Sequence, residues 1–127
     1  MELIDKKTKI VGVIDNYIDF NINILKQIVD DCNIFNLCDY DYFIKSKTVR
    51  DYIKNPEPVN DTNIVNVSIY SLILFESDDN KKGKLIFEDG TILKPQTGKY
   101  ILFDSNLIFN FENSIDNLQF KLIRFFN

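Results

Sequence analysis

The chain has no histidine and no alanine, and its 127 residues include only two cysteines, three prolines and four glycines. Without imidazole there is no Ser-His or Cys-His nucleophile, no histidine general base and no histidine metal ligand. Cys32 and Cys38 are too few for a disulfide framework. Their spacing fits no zinc motif, and neither a second pair nor a histidine completes a site. They read as free thiols in a reducing compartment, with a single Cys32–Cys38 disulfide as the lesser alternative. No apolar run approaches the length of a membrane span, and no basic-apolar-small leader opens the chain, so a cytoplasmic protein without membrane contact is expected. Fifteen basic residues against nineteen acidic ones give a net charge of -4, which argues against a duplex nucleic-acid binder.

What is present suffices for a core. The apolar fraction is 45% and aromatics make 13%, which excludes wholesale disorder. Nineteen isoleucines, fifteen asparagines and thirteen lysines, against only Arg50 and Arg124, mark codons rich in A and T. Such bias is common in large DNA viruses, phages and some AT-rich cellular genomes, and it speaks of the source genome rather than of function. β-branched Ile favours strands, while helices lack their best former. With no repeat, low-complexity tract or Gly/Ser linker, residues 1–127 parse as one domain: a strand and helix over 9–33, a variable middle over 34–63, and a β core over 64–126.

Along the chain, Lys9 to Ile18 alternates as a strand. Asp19 is positioned to cap a helix reaching about Cys32, whose Ile24, Leu25, Ile28, Val29 and Cys32 form one apolar stripe. Tyr40–Ile44 predicts a short strand, and Thr48–Lys54 one or two helical turns stopped at Asn55-Pro56. Ile64–Phe75 is a long strand, apolar on both parities near its end. Asp89-Gly90 signals a two-residue type I′ hairpin, and Pro95–Gly98 a further turn. Residues 99–104, 107–112 and 118–126 complete the strands. The last of these has mixed faces, with Phe120, Leu122, Arg124 and Phe126 opposite Gln119, Lys121, Ile123 and Phe125, which suits a place near a sheet edge. The expected class is α+β, mostly β, with one N-terminal amphipathic helix packed on an antiparallel sandwich or barrel.

These segments resemble a known family. IVGVIDNYIDFNINILKQIVDDC is similar to the opening of the prolyl-4-hydroxylase-like branch of the 2-oxoglutarate/iron(II) dioxygenases. IYSLILFES, Gly83–Phe87, Pro95–Gly98, Ile101–Phe103 and the closing LQFKLIRFF resemble that family's later strands and turns in order and spacing. The resemblance covers Ile10–Cys32 and Ser68–Phe126, with a shortened middle. It implies a double-stranded β-helix, a jelly roll with a helix packed outside. That family holds iron with two imidazoles and one carboxylate. In this sequence the distal imidazole position falls on Phe109. The basic residue that anchors the co-substrate falls on Gln119, with Lys121 the nearest cation on the same face. The proximal His-x-Asp position falls on Val59-Asn60-Asp61, which keeps at most the Asp61 carboxylate. The resemblance therefore implies a degenerate, non-catalytic member with no metal or other cofactor.

Other constellations have plainer readings. Asp30-Asp31, Asp39 and Asp41, Asp78-Asp79 and Glu88-Asp89 suit solvated turns better than a convergent acid pair or a calcium loop. Lys81, Lys82 and Lys84 flank Gly83 at a hairpin and lack the glycines and following helix of a phosphate loop. Lys81 and Lys82 make a candidate contact patch, as do Tyr40, Tyr42 and Phe43. The functional expectation is a binding protein, a viral or phage accessory factor in the host cytoplasm that engages a host protein or a small ligand. The alternative is a virion or tail component that self-associates through strand edges. An enzyme working with carboxylates alone ranks last.

Overall fold

The residues from Leu72 to Phe75 are apolar whichever way they face, and they form the middle of a sheet covered on both sides. A computed structural model describes residues 9–14, 21–31, 41–54, 70–78, 83–112 and 117–126. In chain order these form β1 (Lys9–Val13), α1 (Ile22–Asp31), β2 (Asp41–Thr48), α2 (Val49–Lys54), β3 (Tyr70–Phe75), β4 (Lys84–Phe87), β5 (Ile92–Leu93), β6 (Lys99–Asp104), β7 (Phe109–Glu112) and β8 (Gln119–Phe126). Mostly β, they build two antiparallel sheets, ordered β1-β6-β3-β8-β2 and β5-β4-β7. No helix among the described residues is long and apolar enough to cross a membrane.

Side chains alternate across a strand, so each strand of the larger sheet feeds two cores. Ile73, Phe75, Ile101, Phe103, Phe120 and Leu122 face the smaller sheet and pack on Leu85, Phe87 and Leu93. Leu72, Leu74, Leu102, Ile123 and Phe125 face the other way, onto Leu25, Ile28 and Val29 of α1. The layers are helix, five-stranded sheet, three-stranded sheet. Each fully buried Leu, Ile or Phe contributes about 1.5–3 kcal/mol of transfer free energy, so the two-sided burial of β3, β6 and β8 holds the layers together.

Several boundaries differ from the sequence expectation. Asn21 caps α1: its Oδ1 accepts the N–H groups of Asn23 at 2.9 Å and Ile24 at 3.2 Å. Asp19, the expected cap, lies outside the described residues, as do Cys32 and Cys38. β2 runs to Thr48 rather than Ile44, because all eight of its residues pair with β8. That pairing outweighs the weak strand preference of Lys45, Ser46 and Lys47. Thr48 then caps α2, its hydroxyl accepting the Asp51 N–H at 3.2 Å.

The hairpin between β4 and β5 has a three-residue loop, Glu88-Asp89-Gly90, instead of a two-residue turn. Phe87 N–H bonds Thr91 O at 2.8 Å, and Gly90 N–H bonds Phe87 O at 2.9 Å. Gly90, at φ 93°, takes the left-handed closing position that this loop class requires. Gly98, at φ 84°, sits third in the Gln96–Lys99 turn, as in a type II turn. Finally, β8 lies one strand in from the sheet edge, between β3 and β2, and the edge place itself falls to β2.

Candidate functional site

Phe109, the position where the resemblance would put an imidazole, opens β7 directly opposite Phe87 of β4. Odd positions on these two strands point into the sandwich, so Phe109 and Phe111 meet side chains from the facing sheet. The ring of Tyr52, supplied by α2, stacks on Phe109 with centroids 5.4 Å apart and a 20° tilt between planes. Phe103 meets Phe109 edge-on at 5.6 Å, Phe87 lies 5.8 Å away, and Phe111 is edge-on at 6.3 Å. Phe111 continues the cluster to Phe120 at 5.0 Å, and Tyr52 also touches Phe120 edge-on. Offset and edge-to-face pairs of this kind add about 0.5–1.5 kcal/mol each beyond burial.

Among the described residues, these surroundings do not fit an iron(II) centre. A site of that class takes two imidazoles and a carboxylate, whereas Phe109 packs on four described rings whose sole heteroatom is the Tyr52 hydroxyl. Val59 and Asp61 lie outside the described residues, as do Tyr40, Lys81 and Lys82.

Gln119 and Lys121 share a face, but it is the outer face of the five-stranded sheet. Lys121 Nζ donates to Ser46 Oγ at 3.0 Å and pairs with Glu76 Oε2 at 3.2 Å. Gln119 is exposed, and its N–H bonds Ser77 Oγ at 3.0 Å. The residue that reaches the aromatic cluster from this end of β8 is its neighbour Phe120. The sheet therefore separates Gln119 and Lys121 from Phe109. Gln119 instead lines a shallow polar groove with Ser46, Lys47, Thr48, Asp51 and Glu76, around about 200 Å3. Tyr42, on the same outer face of β2, is partly exposed. Phe43 pairs with Arg124 in the backbone register.

A second interior feature escaped the sequence reading. Arg124 is 2% exposed, on the same face of β8 as Phe120 and Leu122. Its Nη1 donates to Ser71 Oγ at 2.6 Å, and Ser71 shares a further hydrogen bond of 2.6 Å with Ser105. Ser71 sits opposite Arg124 across β3 and β8, and Ser105 follows directly on β6, so three strand ends converge there. The signal was available, since a lone Arg in the register of two core residues must be buried with partners or must end the strand. Nearby, Tyr70 lies opposite Asp104, and burial first, then the Asp104 carboxylate, raise its pKa above the ordinary value.

Chemically, the interior of the described residues offers packed rings and the hydrogen-bonded Arg124 guanidinium. At the polar groove, Glu76 is paired with Lys121.

No protein-family model matches the chain, and no curated protein matches it. Among solved structures it is similar to a truncated form of the viral collagen prolyl hydroxylase vCPH from Paramecium Bursaria Chlorella virus-1. The sequence identity is 13%, the alignment covers 98% of this chain and 75% of that one, and the TM-score is 0.48.

Proposed function

We propose that the chain is a non-catalytic jelly-roll protein that acts by binding, an accessory factor of viral or phage origin that engages a host protein or a small ligand. The observation that carries this reading is the aromatic packing around Phe109: at the position where the resemblance puts an imidazole, the ring meets Tyr52, Phe87, Phe103 and Phe111, none of which carries a metal-binding nitrogen or carboxylate. The strand path supports the jelly-roll assignment. From β3 onward the chain visits the large sheet, the small sheet for β4 and β5, the large sheet for β6, the small for β7 and the large for β8. On this reading the protein is a degenerate dioxygenase-like scaffold that works through shape. Titration calorimetry with manganese(II) or iron(II) together with 2-oxoglutarate is expected to give no binding heat. Micromolar binding of both would overturn the proposal.

A second reading, self-association as a structural component, is favoured by apolar side chains on the outermost strands of the larger sheet. Val11 and Val13 on β1 are 48% and 64% exposed, and Ile44 on β2 is 39% exposed. Edge strands of this kind invite pairing with another chain. Light scattering across a wide concentration range separates the two readings. A strict monomer at high concentration removes the second, and a concentration-dependent oligomer supports it.

A further inference from the structure

We draw no further inference here: the strongest candidate, the exposed apolar patch of Val11 and Val13 on strand β1 at one edge of the five-stranded sheet, carries nothing because nothing in the structure shows what covers it.

Discussion

Replacing Phe109 separates a packing role from a ligand role at the position that matters most. Phe→Ala in a full core costs about 3–5 kcal/mol. Phe109 is half-buried, which scales the burial part to roughly half of that. The stacked Tyr52 and the edge-on Phe103 are both lost as ring partners, at about 0.5–1.5 kcal/mol each beyond area. The expected cost of Phe109→Ala is therefore about 2.5–5.5 kcal/mol. For a domain of this size that lowers Tm by on the order of 10 °C. Urea denaturation with an unchanged m-value is the better assay, since it confirms that the folded state keeps its compactness. Phe109→His is the companion variant. It keeps a flat ring but buries a polar one among Tyr52, Phe87, Phe103 and Phe111, so it too is destabilised, and it gains no iron(II) affinity. A Phe109→Ala protein within 0.5 kcal/mol of the parent would refute the packing argument. Iron(II) binding by Phe109→His would show that a ligand set still surrounds the position.

Three other outcomes follow from specific contacts. Ser71→Ala removes the hydroxyl that accepts from the buried Arg124 and is expected to cost about 1.5–3 kcal/mol. In an Arg124→Met background the same change is expected to cost only about 0.5–1.5 kcal/mol, for the remaining bond to Ser105, and additivity of the two single effects in a denaturation cycle would remove the coupling. A Cβ at Gly12 would fall on the Tyr100 ring that lies across it, so Gly12→Ala forces the ring aside and costs about 1–3 kcal/mol; an unchanged thermal midpoint would contradict that crowding. Asp78 Oδ1 accepts the Thr97 N–H at 2.7 Å, and that bond holds its carboxyl below the ordinary value of 3.8. A depressed carboxyl stabilises the fold above its unfolded pKa, and the contribution is lost as pH falls through the folded value. Asp78→Asn should therefore be less stable than the parent at pH 7, with the gap closing below about pH 4; a gap of equal size at pH 3 would exclude the linkage.

Much of the β core was legible because its signals are local. The apolar run Ser71–Phe75, the turn at Pro95–Gly98 and the alternation of residues 119–126 each fix a strand or a bend without reference to anything distant. The stripe Leu25, Ile28, Val29 likewise fixes the buried face of α1. Less legible were the features that depend on partners. β2 extends through Lys45, Ser46 and Lys47 because β8 lies alongside for eight residues, and no local preference encodes that. The Asp89-Gly90 pair announces a tight turn, but whether the loop has two residues or three depends on the register that β4 and β5 adopt. The sequence marks Tyr52 only as one residue of one or two helical turns, and it is the packing of α2 that puts its ring on Phe109.

The candidate site was the hardest part to read, and the reason is the two-residue period of a strand. Counting from Phe109 across the connection to β8 lands on Gln119, yet an offset of one residue exchanges the inside of a sandwich for the outside. The structure turns Gln119 and Lys121 toward Ser46 and Glu76 and sends Phe120 inward to Tyr52 and Phe111. Composition gives a way to resolve such an offset in advance. On β8 the set Phe120, Leu122, Arg124 and the set Lys121, Ile123, Phe125 each contain a charge, so hydrophobicity alone does not choose between them. The charges differ in what they need: Arg124 has Ser71 opposite and Ser105 nearby, an interior pair of hydroxyls for a guanidinium, whereas Lys121 has a carboxylate at the rim. A buried arginine with small hydroxyl partners marks the core face, and a partly buried lysine paired with an acid marks the outer one. By that criterion Phe120 lies on the core face of β8, which makes the interior of this sandwich apolar at both Phe109 and Phe120.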